Sequence, residues 1–511
     1  MKTNILSLLA IAGLLSFAGC ANDDTANKQT EQEPGTEGLT SFVEEDNTTR
    51  TTGEYDGSGL NFYWTAGDRL WVNTGTAISP VLKQDSKNNI SNLLVANPAI
   101  PTGVKRAAKA SFAFAGTYTA SSYPVRYTGW NNANGDKVNI SAVQNQVVPN
   151  EASHIGGDGD CGVAQAQKQS DGKYHFTLDH KAAYITFLPY TTQNIVSSAK
   201  IERVRVFTGN TSDALAGTFD FADDGTLSNP TSTSNSIELR FNGYVGFSIP
   251  STPTYTTTMV VNPGTYSNVS IEYTLFDPQT YVRGTITKTY PSITFTVGKN
   301  KKVKIDLQVK EYFTDVYYMW DAAVGQHYWK GHLDSDGKPD GNYPQNNTDP
   351  RWYREDTSLP APAANRSTAG CPNFNECIWY VMQGDPHWDN ELWTTMGHLY
   401  AGGMWFKKKA NISSFNDSNY NGTDYRTTYG EFLNNSVTQG KPNNLNDYFY
   451  LPALGYYNNG TLFTIGYFGH YWSSTPDPRA THVTYQMYFN NTFARAFFDR
   501  RDMGFMLWTA Q

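Results

Sequence analysis

The chain of 511 residues is poor in charge: Asp, Glu, Lys and Arg make up 17% of it, and 39 basic against 47 acidic residues leave a net charge of −8. Nucleic acid and anionic bilayer surfaces are held by basic patches, and none occurs here, so neither is an expected partner. Cysteine is scarce, with four in all. Cys20 lies in the leader, and Cys161, Cys371 and Cys377 are too few for a disulfide scaffold. Metal-ligand spacings are also missing. His387, His398, His470 and His482 lack the short offsets that place two imidazoles on one helix face, and no metal or cofactor is expected. Asp385, Asp389 and Glu391 sit among Trp388 and Trp393 and read as a packed, capped loop rather than an acid–base pair. What is abundant points elsewhere. Aromatics reach 14%, with 33 tyrosines and 43 glycines, and aromatic and β-branched residues suit pleated, half-buried surfaces. The chain is too long for one core and implies about three domains.

The first twenty residues carry an address. Met1-Lys2 opens a short positive region, and the apolar run from Ile5 to Phe17 is too short to span a bilayer. Ala18-Gly19-Cys20 then resembles a bacterial lipoprotein signal, which implies acylation of Cys20. Asp23-Asp24 resembles the acidic signal that sends such proteins to the outer face of the outer membrane. Residues 21–50 are polar and acidic without sustained periodicity, and are expected to form a disordered leader or propeptide.

From Phe62 the pattern is strand, Gly67-Asp68 turn, strand. Trp64-Thr65-Ala66-Gly67-Asp68 after Thr49-Arg50-Thr51 resembles the start of the mature domain of fimbrillins, the subunits of type V pili. Ser122-Tyr123-Pro124 is similar to the family's Tyr-Pro-Tyr region, with Val125 in place of the last Tyr. Phe176, His180 and Ala183 resemble its Phe-x-x-x-His-x-x-Ala strand. No acid, base or nucleophile stands at a recognisable offset from His180, so it reads as a structural histidine held by backbone. Repeated alternation from Lys200 to Leu307, punctuated by Asn229-Pro230, Asn262-Pro263-Gly264 and Asp277-Pro278, gives a second sandwich. The expected domains are 51–168 and 169–311.

The character changes near Val309, and 312–511 is the third expected domain. Asn373 and Glu376 form a capping box ahead of a helix. Val483, Tyr485, Met487 and Phe489 alternate with His482, Thr484, Gln486, Tyr488 and Asn490, the mark of a half-buried strand. Tyr471-Trp472-Ser473-Ser474-Thr475-Pro476, Gly504-Phe505 and Leu451-Pro452-Ala453 together resemble the C-type-lectin-like domains of bacterial surface lipoproteins, including those diversified by retroelements. The oxidases of that fold use cysteines near the C-terminal strands, and no cysteine follows Cys377. The calcium-binding tripeptides of sugar-binding members are absent as well, Pro476-Asp477-Pro478 being the nearest approach. A Cys371–Cys377 bridge requires the chain to fold back at Pro372 and stays open, while Cys161 reads as a buried small hydrophobe.

The expected fold class is thus mainly β: two tandem fimbrillin-type, transthyretin-like β-sandwiches and an α+β C-type-lectin-like domain. The expected function is non-enzymatic adhesion at the cell surface or on a fimbrium. Asp477, Arg479, His482, Thr484, Gln486, Tyr488, Asn490, Phe498 and Arg500 are the predicted ligand-facing set, for a host or bacterial surface protein or glycan. The fimbrillin resemblance implies assembly with other pilus subunits by strand exchange after cleavage at Arg50, with this chain as a tip or minor subunit. The alternative is an unpolymerised lipoprotein anchored through Cys20.

Overall fold

The computed structural model describes residues 36–45, 54–55, 60–96, 104–130, 132–193, 199–335 and 337–511. Cys20 and Arg50 lie outside them. The protein is mainly β, with short helices and, among the described residues, three hydrophobic cores.

The first core gathers around a sheet that contains β1 (Leu39–Glu44). This strand falls inside the expected disordered leader, which is a correction. It pairs antiparallel with β2 (Ser111–Ala115) on one side and parallel with Tyr174–Phe176 on the other. Phe42 is the fully buried anchor of this hexapeptide. Its ring is fully buried, stacked 4.7 Å from Tyr174 and set edge-on to Phe114 at 5.0 Å and Tyr118 at 5.5 Å. The neighbouring strands supply the aromatic cage, and Leu39 and Val43 stay half-buried beside it. Trp64 completes the closure by donating its indole N–H to the buried Glu44 carboxylate.

The second core is a sandwich built on β3 (Ala183–Tyr190), β4 (Lys200–Thr208) and β5 (Gly264–Asp277). Its boundary with the first is not the single step at 168/169 that the sequence implied. Lys137–Ile140 pairs with Ala216–Phe221, and Val143–Gln146 runs parallel to Ser236–Phe241, so both belong to the second unit. The chain then returns, because Gly162–Lys168 and Tyr174–Phe176 pair within the first sheet. Apolar alternation assigns a residue to a strand face but not to one of two adjacent sandwiches. At the crossing, His180 Nδ1 lies 2.8 Å from the buried Asp160 carboxylate, which also accepts from the Tyr184 hydroxyl, and Phe62 stacks on the imidazole at 3.9 Å. The partner of His180 is thus a side chain, not backbone.

The third core joins a sheet on β6 (His387–Thr395) and β7 (His398–Lys407), a second sheet on β8 (Gly469–Pro476), β9 (Val483–Phe489) and β10 (Ala494–Arg500), and helix α1 (Phe374–Gln383). The sequence reading missed β10 as a strand. The junction with the second core is polar and buried. Asp277, fully buried, accepts from Leu399 N–H at 3.0 Å and lies 3.2 Å from His398 Nδ1, while Thr280 Oγ1 donates to Leu399 C=O at 2.8 Å. Leu399 is packed into the second core.

Candidate functional site

The frame of the C-terminal surface comes from three indoles. Trp472 donates to Tyr318 C=O at 2.7 Å, Trp320 to Ser473 C=O at 2.9 Å and Trp508 to Trp472 C=O at 2.8 Å. Buried tryptophan usually finds such an acceptor, and these bonds pin β8 to both ends of the domain. Gly504 is needed because a Cβ there would sit 2.8 Å from the Tyr328 ring. Helix α1 begins with the predicted capping box: Asn373 accepts from Glu376 N–H at 3.2 Å, and Glu376 accepts from Asn373 N–H at 2.8 Å. Its Phe374 stacks on Tyr485 of β9 at 3.5 Å. Beneath lies an ionic knot that the sequence did not announce. Arg501, fully buried, donates to Asp356 at 2.6 Å and to the Arg354 and Val483 carbonyls, and it stacks 4.1 Å from Trp320. Cys371 and Cys377 are buried free thiols, so the open bridge is not formed; burial raises both pKa values, that of Cys371 to about 12.

The nine predicted ligand-facing residues divide on this frame. Arg479, His482 and Arg500 are exposed, and Tyr488, Asn490 and Phe498 are half-buried. Asp477, Thr484 and Gln486 are buried, at 0%, 0% and 2% exposure, which corrects the prediction for them. Thr484 Oγ1 donates to Thr475 C=O at 3.0 Å, and Gln486 bridges His470 at 3.0 Å and Asp499 at 3.1 Å. The physical reason is that β9 is covered on both faces along this half. Helix α1 lies on one side; on the other, His470 fills the space between Tyr488, Tyr456 and Phe505. Alternation says which residues share a face, not whether that face meets water.

What reaches the surface is a run of aromatics and guanidinium groups. Arg479 lies 3.2 Å over the Tyr429 ring and 5.4 Å from Phe498, Phe497 stacks on Phe498 at 4.3 Å, and Arg495 lies 3.9 Å over Phe497. Arg495 also donates to the Tyr488 hydroxyl at 3.1 Å, and Tyr488 meets Phe493 edge-on at 5.6 Å. The buried Asp477 carboxylate grips Arg479 through Nε at 3.1 Å and Nη2 at 2.9 Å, and so fixes it over the rings. Arg495 pairs with Glu431 at 3.0 Å and Arg500 with Asp502 at 2.7 Å. The patch is therefore rigid and close to neutral, the chemistry of a recognition surface anchored by Tyr and Arg. Tyr429 and Glu431 were missed in the sequence because only the sheet brings their segment to this face; Phe493 and Phe497 were missed because β10 was not read as a strand.

The carboxylates considered for acid–base chemistry are held by cations. Lys407 lies 3.2 Å from Asp385, and Lys441 lies 3.0 Å from Glu391 and 3.7 Å from Asp389.

No family model matches the sequence, and no curated protein matches it. Among solved structures, the chain is similar to a candidate cell adhesion protein from Bacteroides ovatus, 12% identical with a TM-score of 0.30 over 52% of this chain and 92% of that one. It is similar to the fimbrial anchor protein Mfa2 from Porphyromonas gingivalis, 12% identical with a TM-score of 0.19 over 50% of this chain and 83% of that one. It is also similar to a fimbrial protein from Bacteroides ovatus, 11% identical with a TM-score of 0.22 over 92% of this chain and 99% of that one.

Proposed function

We propose that this chain is a non-enzymatic surface adhesin of fimbrillin type, which joins a pilus by strand exchange and binds its target through the Tyr429–Arg479–Phe498 surface. The observation that carries the proposal is the place of β1. It lies inside the first sheet, paired on both edges, and Arg50 follows shortly after it in the sequence. Cleavage there separates β1 covalently from the rest of the chain. Its departure leaves Ser111–Ala115 and Tyr174–Phe176 with unpaired edges around an aromatic trough, an acceptor for a neighbour's strand. Acylation at Cys20 places the uncut form on the outer membrane. The C-terminal surface adds the binding function, for a protein or glycan on another cell.

The experiment is N-terminal sequencing of the protein sheared from cells, with its apparent mass. A start at Thr51 in a high-mass fraction supports assembly. A lipidated Cys20 in a monomeric membrane fraction as the sole surface form removes the polymer and leaves a display lipoprotein.

A further inference from the structure

A cleft of about 1110 Å³ opens where the second sandwich meets the C-terminal domain, remote in sequence from the strands of the adhesive surface. One wall is formed by loops that follow strands of the sandwich, including Thr192, Ser251, Gln279 and Gln308; the other includes the β6–β7 turn at Met396-Gly397. Glu311, Tyr312 and Phe313, where the chain passes from one domain to the other, also line it.

Three features distinguish this cleft from a gap between two domains. Its walls are fixed: Gln193 closes a two-way amide pair with Val309 at 2.9 and 3.0 Å, and Asp277 ties the opposite wall through Leu399. The turn at its lip is held in a left-handed conformation at two successive residues, Met396 at φ 50° and Gly397 at φ 82°, which is strained for a methionine. Most directly, its chemistry is uncommitted. Phe313 is 60% exposed in the lining, and the side chains of Ser251, Gln279, Glu311 and Lys338 make no hydrogen bond or ion pair among the described residues.

An exposed aromatic face flanked by free amide, hydroxyl and single charged groups matches a sugar ring. Such a ring offers an apolar C–H face to stack and a rim of hydroxyls that both donate and accept. An extended peptide is instead gripped mainly by main-chain bonds from a strand edge, and the uncommitted groups here are side chains. Glu311 and Asp334 stand against Lys338 in the lining, a slight negative excess that disfavours an anionic ligand. The volume is slightly above the usual range of ligand pockets and leaves room for more than one ring. We infer that this interdomain cleft is a binding site for a short neutral oligosaccharide, with Phe313 as the stacking platform and Gln279 as a principal hydroxyl partner. It is independent of the adhesive surface and of assembly.

The test is isothermal titration of the purified full chain with cellotetraose, maltotetraose, mannotetraose and tri-N-acetylchitotriose, and with an uncharged Gly-Ser-Thr peptide. Binding of at least one saccharide is expected, weakened about tenfold by Phe313→Ala and several-fold by Gln279→Ala. Both residues are exposed, and unchanged melting curves show that the variants remain folded. Absence of binding to every saccharide overturns the inference, as does peptide binding alone. Saccharide binding that is indifferent to both substitutions overturns it too, by placing the ligand elsewhere.

Discussion

Replacing Phe42 by alanine removes the side chain that holds β1 in the first sheet. The ring is fully buried and meets Tyr174, Phe114 and Tyr118 at 4.7, 5.0 and 5.5 Å. These rings belong to a close-packed core that relaxes only in part, so the substitution costs about 3–5 kcal/mol, as phenylalanine truncations do. The loss is local. The other residues of β1 contribute strand pairing, the Glu44–Trp64 bond and the half-buried Leu39 and Val43. Amide exchange read by mass spectrometry on peptides spanning 111–115 and 174–176 is expected to accelerate about 100-fold or more, since every 1.4 kcal/mol is a factor of ten. Peptides spanning 471–476 should exchange at the parental rate. Acceleration below about threefold at the β1 neighbours would refute the idea that Phe42 holds the strand. Equal acceleration at 471–476 would refute its local character.

Other outcomes follow from the C-terminal domain. Tyr429→Ala removes the half-buried ring under the Arg479 guanidinium and leaves the Asp477–Arg479 pair intact; adhesion to target cells is expected to fall by about tenfold or more, the range of interface anchors, while the melting temperature stays within a few degrees. Arg501→Met removes one of the two buried guanidiniums on Asp356, Arg354 remaining 3.2 Å away, and a loss of about 1.5–3 kcal/mol in denaturant unfolding of this domain is expected. His470 gives a pH dependence. Burial lowers its pKa from 6.5 to about 4, against a weaker opposing effect of its bond to Gln486. Between those values the unfolded chain binds a proton that the folded one does not, so stability is complete above pH 6.5 and falls toward pH 4, by about 3 kcal/mol at the lower limit. A His470→Gln variant should lose most of that slope in unfolding curves recorded at pH 4.5 and 7.

Local chemistry was legible in the sequence, and assembly across segments was not. The capping box at Asn373 and Glu376 is written in four residues, and it stands as expected. The alternation of β9 correctly grouped Tyr485, Met487 and Phe489 on one buried face. It could not reveal that Thr484 and Gln486 are buried as well, because the covering residues, His470 among them, come from another strand. β1 went unseen because Leu39-Thr40-Ser41-Phe42-Val43-Glu44 is sheet only through partners more than sixty residues away. Asp160 escaped notice beside His180 for the same reason: twenty residues separate them in sequence and 2.8 Å in space. The Tyr429–Arg479–Phe498 surface joins three segments, of which Arg479 and Phe498 were predicted and Tyr429 was not.

The most direct test of β1 as a releasable strand is peptide uptake by the purified chain carrying a unique protease site directly after Arg50. A fluorescent peptide of residues 36–45 is added before and after cutting, and bound label is read by size-exclusion chromatography. Uptake by the cut chain alone, abolished when the peptide carries Phe42→Ala, is the expected result. Absence of uptake after complete cutting, or equal uptake by uncut chain, would contradict it.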